Sequence, residues 1–315
     1  MLFVFVVNNY SLIINRTTIM KKLIYIFVPL ILLGSLMPIL NYSSPAAALE
    51  IVLESPGASE FDLVQSRAII ANRLEAYGIS DFEISILADK HQLNIILPDV
   101  LAEEPLLPLL VDKGALFFCA TFNRAEMARM LEHSPYRQKW REWLTADAES
   151  LGKQGNNALL AEVDREKISA FNIFLEGPDH LQGLPSYLHF AFGRFPNTDD
   201  QIGIYALKLD HENRILLSGK AVKEARVLAS ESTGAVSISL DFYSEGTEQW
   251  AKATRENINR SIAIVIDELV YFAPRVMTEM TDGQATITGQ FSMQEAKTLA
   301  AIVQGGELPV AFILK

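Results

Sequence analysis

The chain has 315 residues, half of them hydrophobic, with 27 basic and 38 acidic residues and a formal charge of -11. The first 48 residues hold Arg16, Lys21 and Lys22 and no acid, so the rest carries 24 basic against 38 acidic residues, a net of -14. A body that acidic repels phosphate backbones and argues against nucleic-acid partners. The single cysteine, Cys119, excludes an internal disulfide framework and any Cys-based metal site within one chain.

Lys21-Lys22 precede an uncharged apolar run, residues 23–40. Eighteen such residues reach the lower limit of a transmembrane helix and exceed most signal-peptide cores. Basic residues in front of the run place its start in the cytoplasm, so the body is expected on the extracytoplasmic, periplasmic side. Ala46-Ala47-Ala48 offers a small-x-small cleavage site, while Pro29, Gly34 and Pro38 weaken the helix. Residues 1–48 are therefore read as a signal-anchor or a cleaved signal peptide, with both readings open. Met20-Lys21-Lys22 resembles a natural export-signal start, which makes residues 1–19 an upstream extension or a misassigned start.

Beyond Leu49 the pattern is that of an α+β protein. Leu49–Glu54 alternates as a strand, and Ser59 with Asp62 caps a helix whose apolar stripe reads Phe61, Val64, Ala68, Ala71 and Leu74, stopped by Gly78. Residues 82–87 and 92–97 form a hairpin, residues 105–111 a short helix, and residues 115–122 a strand. The order β-α-β-β-α-β predicts a ferredoxin-like base over residues 49–122. Residues 123–214 are less legible. Residues 124–132 and 136–148 read as helices, the latter carrying Trp140 and Trp143, and residues 171–175 and 187–192 read as strands. From residue 215 order returns in a second α+β unit. Residues 236–242 form a strand and residues 244–258 a helix with Trp250, Ala253, Thr254 and Ile258 on one face. Residues 262–266 are wholly apolar and so a central strand. Strands at 269–272 and 285–288 follow. Ser292 with Glu295 is a capping box for a helix showing Ala296, Leu299, Ala300 and Val303, and residues 308–314 close the chain as a strand. Two helices against a mostly antiparallel sheet make this second unit a head on the base.

The sequence lacks the nucleophile elbow, the phosphate loop, the dinucleotide fingerprint and the zinc-protease helix motif. The five histidines are scattered with no i, i+4 pair. Cys119 sits in an apolar strand with no basic neighbour and reads as a buried, inert thiol. The reading is a protein with no catalytic residue, no cofactor and no metal. The most aromatic stretch runs from Tyr187 to Phe195. Leu188, Phe190 and Phe192 share a strand face there. That face is either ordinary core or, with Phe195, an apolar platform for extended polypeptide.

Residues 235–246 and 251–254, with Ala263-Ile-Val-Ile-Asp267, Ala273-Pro274, Ala285-Thr-Ile-Thr-Gly289 and Gly306-Glu-Leu-Pro309, resemble the ectodomain of the SecD family, accessory subunits of the bacterial Sec export machinery. A weaker similarity lies in Asn72-Arg73-Leu74, Gly78-Ile79, Ile95-Ile-Leu-Pro98 and Gly114-Ala-Leu116. The resemblance implies a first exported domain with a ferredoxin-like base (49–122), a connecting region (123–214) and a head (215–315). It implies a non-enzymatic binder of emerging or unfolded polypeptide that assists Sec-type export beside translocase components, held to the membrane by its amino-terminal segment. The family's later transmembrane helices and proton-coupling carboxylates have no counterpart in this sequence. The rival reading is an envelope adaptor that reuses the fold to bind one protein partner. Asn259 and Glu268 stand where the family carries glycine, as does Asp99, so these turns are either reshaped or, at Asn259, supplied with positive φ by the residue itself.

Overall fold

A computed structural model describes residues 48–98, 106–132, 134–144, 158–177, 181–198, 200–209 and 215–315. The apolar run 23–40, the 1–19 extension and Asp99 lie outside these residues. No helix among the described residues is long and apolar enough to cross a membrane.

The base begins with β1 (Leu49–Glu54), α1 (Glu60–Tyr77), β2 (Glu83–Leu87) and β3 (Gln92–Leu97). Ser59 and Asp62 form the expected reciprocal cap, and Gly78 ends α1 in the left-handed region at φ 106. The buried face of α1 is Leu63, Ser66, Ile70, Arg73 and Leu74. Phe61 and Val64 are instead 68% and 42% exposed, which corrects the stripe read from sequence. Apolar residues occur all round this helix, so periodicity alone could not choose the face. Arg73, a residue no hydropathy pattern places inside, lies on the buried face.

A short α2 (Leu107–Val111) leads to β4 (Leu116–Ala120). β4 does not join the base sheet. That sheet has the order β14-β1-β3-β2, so the ferredoxin-like arrangement is closed by β14 (Ile313–Leu314), at the far end of the sequence. β4 instead pairs with β8 (Ile215–Ser218) and β11 (Ile262–Ile266) in a seven-stranded sheet, β5-β7-β6-β12-β11-β4-β8. Its partner β11 is buried on both faces along its whole length, as its apolar run predicted.

The middle of the chain supplies α3 (Arg124–Glu132), α4 (Arg137–Leu144), β5 (Leu159–Asp164), α5 (Ile168–Glu176), β6 (Leu188–Thr198) and β7 (Gln201–Lys208). Residues 171–175, read as a strand, lie within α5. Ile168 and Phe171, three residues apart, are both buried there, the spacing of a helix face rather than of alternation. The remaining strands β9 (Val222–Ala229), β10 (Val236–Phe242) and β13 (Gln284–Thr288) form a three-stranded head sheet, order β13-β10-β9. α6 (Ser244–Glu256) and α7 (Met293–Gly305) pack with it. β12 (Leu269–Phe272) completes the set. Asn259 and Glu268 adopt φ 65 and φ 69, so both take up the left-handed geometry themselves.

α7 serves two cores at once. Ala296, Leu299, Ala300 and Val303 pack with Ile238, Leu240 and Trp250 in the head, while Ala301 and Ile302 pack with Ile70, Leu74 and Leu97 in the base. Its alanine-rich surface lets α1 and the head sheet approach from two sides.

Candidate functional site

Where α1, α2, β4 and α7 meet, a guanidinium is sealed inside. Arg73 is 0% exposed. Its Nη1 donates to the Leu109 and Asp112 carbonyls at 3.0 and 2.7 Å, and its Nη2 to Lys113 and Gly306 at 2.8 and 2.7 Å. Nε donates to Gly306 at 3.2 Å. These carbonyls stand at the ends of α2 and α7, where backbone oxygens lack helical partners and carry the negative end of the dipole. Burial draws the Arg73 pKa down to about 10, against the opposing pull of Asp267 and Asp112. Gly114 makes room for it: a Cβ there would lie 2.5 Å from Arg73 Nη2, and its φ is 74. Asp267 ties the same junction to the β11–β12 turn, accepting from the Gly114 and Ala115 amides at 3.0 and 2.8 Å.

Beside this hub lies a cleft of 260 Å³. One wall is aromatic: Phe195 from β6, Tyr271 from β12 and Phe291 just ahead of α7. Phe195 meets Phe291 edge-on at 5.0 Å and Tyr271 edge-on at 5.8 Å. The facing wall is aliphatic, from Pro108, Leu299 and Ile302. Arg194 lies 5.6 Å from the centre of the Phe195 ring. Glu295 also lines the cleft, but its carboxylate is engaged by the Ser292 amide and hydroxyl, which hold it below its ordinary range. Asp112 lines the cleft from the end of α2. Desolvation, then the negative charge of Asp267, push its carboxyl up to about 6, against the weaker pull of Arg73 and Arg194.

The three phenylalanines singled out in the sequence part company. Phe190 stacks on Trp140 at 5.1 Å, and Phe192, 9% exposed, meets Phe171 edge-on at 5.9 Å. Both belong to the aromatic core under β6, with Phe174 and Trp143 packed alongside. The strand register shifts between Phe192 and Pro196, and this irregularity accompanies the placing of Phe195 in the cleft. Phe195 is thus the one of the three that lines an open site. Sequence reasoning missed Arg73, Asp112, Arg194, Tyr271 and Phe291, because they come together only through tertiary structure. The hints available were Arg73 within Asn72-Arg73-Leu74 and Arg194 within the aromatic stretch from Tyr187 to Phe195.

Cys119 is buried in β4, and burial pushes its thiol up to about 12, which leaves it protonated and unreactive at neutral pH. Among the described residues no three His, Cys, Asp or Glu side chains gather as a metal site.

With this geometry established, similarity to known proteins places the chain. Residues 198–310 match the family described as SecDF, P1 head subdomain. The protein translocase subunit SecD of Rhodothermus marinus is 28% identical over 262 residues, covering 82% of this chain and 40% of that protein. SecD of Endomicrobium trichonymphae is 36% identical over 257 residues, covering 81% of this chain and 46% of that protein. The chain thus spans less than half the length of either relative. A crystal structure of SecDF in a super-membrane-facing form shares the fold with a TM-score of 0.53 at 24% identity, over 85% of this chain and 29% of that one. A structure of the membrane component SecDF, described as enhancing protein export, matches with a TM-score of 0.50 at 24% identity, over 84% and 97% of the two chains.

Proposed function

This chain carries a SecD-family domain, and from that premise we propose that it binds extended polypeptide in the cleft beside Arg73 and assists Sec-type export without catalysing a reaction. In this reading residues 23–40 tether or target the chain, and the body works on the extracytoplasmic side beside translocase components. The observation that carries the proposal is the cleft, a concave site with one aromatic and one aliphatic wall. Such a surface accepts many apolar side chains, as a binder of unrelated unfolded chains requires.

The test is titration of a reduced, alkylated and fluorescently labelled unfolded protein into the 315-residue chain. Two variants are compared with the parent: Thr298→Trp, which fills the cleft from α7, and Phe195→Ala with Phe291→Ala, which strips its aromatic wall. Affinity is expected to fall about tenfold or more in each, as for loss of buried aromatic anchors. Thermal melts check that the variants remain folded, and the two variants disturb the site in opposite senses, one by filling and one by emptying it. Unchanged affinity in the filled variant would overturn the proposal and leave the one-partner adaptor reading in its place.

A further inference from the structure

The cleft lies where two strands separate. β6 and β12 pair in parallel at Phe192 with Leu269 and at Gly193 with Val270. Beyond that point β6 resumes pairing with β7 at Pro196 and Ile202. Arg194 and Phe195, on one side, and Tyr271, on the other, line the gap that this leaves.

The charges around the gap are unequal. In the cleft Asp112 and Glu295 face Arg194, and in the junction beside it Asp267, Glu268 and Glu307 neighbour Arg73 and Lys113. Most of these groups are already engaged. Arg73 is filled by backbone carbonyls, and Lys113 pairs with Glu307 at 3.1 Å. Asp267 holds two backbone amides and Glu295 caps α7. Arg194 is drawn to the Phe195 ring and the Tyr271 hydroxyl. Among the described residues Asp112 is left as an exposed carboxyl that lines the cleft with no hydrogen-bonded cation, and desolvation, then the charge of Asp267, hold its pKa above the ordinary value.

We infer that the cleft prefers extended polypeptide in which a large apolar side chain neighbours a lysine or arginine, and that Asp112 sets this preference. The inference rests on the polypeptide reading above and adds a selectivity to it. The apolar side chain fills the space between the two walls, and the neighbouring cation pairs with the Asp112 carboxylate at the rim.

Three blocked nonapeptides differing only in the residues beside a central phenylalanine test it: lysine, serine or glutamate. Binding to the 315-residue chain is measured by calorimetry at pH 7.5 and low salt. The lysine peptide is expected to bind about tenfold tighter than the serine peptide, and the glutamate peptide more weakly than either. In Asp112→Asn the advantage of lysine over serine is expected to fall below about threefold. That comparison separates a local effect from the attraction any cationic peptide feels toward an acidic body. Equal binding of the lysine and serine peptides to the parent, or a lysine preference that survives in Asp112→Asn, would overturn the selectivity while leaving the polypeptide reading intact. Failure of all three peptides to bind would take down both.

Discussion

Arg73 is a charged side chain with no solvent exposure whose hydrogen-bond acceptors are all backbone carbonyls. The five donors of a guanidinium fit this role because they spread in a fixed planar fork, which a lysine ammonium cannot copy. The same cluster makes Asp112 sensitive to pH. Its folded pKa, about 6, lies above the ordinary value of 3.8, so the native state holds this proton more tightly than the unfolded chain. Stability from this group is therefore unaffected below about pH 4, falls as pH rises from about 4 to 6, and stays lowered above that. Asp112→Asn cannot ionise, and is expected to raise the urea midpoint at pH 7.5 and leave it unchanged at pH 3.5. Water reaches Asp112 through the cleft, so the gain is smaller than a sealed carboxylate would give. A destabilised Asp112→Asn at pH 7.5 would show that Arg73 and Arg194 outweigh the desolvation and Asp267.

At the scale of elements, α6 shows how far a sequence pattern reaches. Trp250 is 4% exposed, lies 5.1 Å from Phe118 and 5.8 Å from Phe242 between ring centres, and donates its indole N–H to the Gln284 carbonyl at 2.9 Å. Trp250→Ala removes that packing, leaves a cavity and orphans a carbonyl, so a loss of about 3–5 kcal/mol in unfolding free energy is expected from chemical denaturation. A loss below about 1 kcal/mol would mean the head core collapses around the missing ring. Its burial was legible because Trp250, Ala253 and Thr254 keep helical spacing against a charged background, and all three are buried. Ile258, four residues after Thr254, was read on the same face, yet it is 42% exposed because the helix ends at Glu256. The capping boxes at Ser59 and Ser292 were legible for a local reason, since both partners lie within four residues. The α1 face, the helix at Ile168–Glu176 and the cleft were not, because each is decided by partners remote in sequence. Arg73 meets Gly306 across 233 residues, and no local window contains that contact.

At the scale of the whole molecule, the base is assembled from the two ends of the described body. Residues 49–122, the span read from sequence as a complete ferredoxin-like unit, contain β4, whose partners β8 and β11 lie elsewhere, and lack α7 and β14. They also lack Ile302, Leu308 and Phe312, which are 3%, 0% and 6% exposed and close the base core. At about 1.5–3 kcal/mol for each buried side chain, their removal forfeits roughly 5–9 kcal/mol. A domain's whole stability is only about 5–15 kcal/mol, so the loss is comparable to all of it. A fragment of residues 49–122 is therefore expected to show no cooperative melt. Joining residues 49–114 through a short glycine–serine linker to residues 290–315 restores the β14-β1-β3-β2 order with both α1 and α7 and keeps the carbonyls that hold Arg73, and that chimera is expected to melt cooperatively. Circular dichroism on the two polypeptides decides the matter. A cooperative transition in the 49–122 fragment would mean that β4 can take the place of β14 beside β1. The base would then be a local unit whose carboxy-terminal strand is an addition, and Arg73 would have lost its reason to reach Gly306.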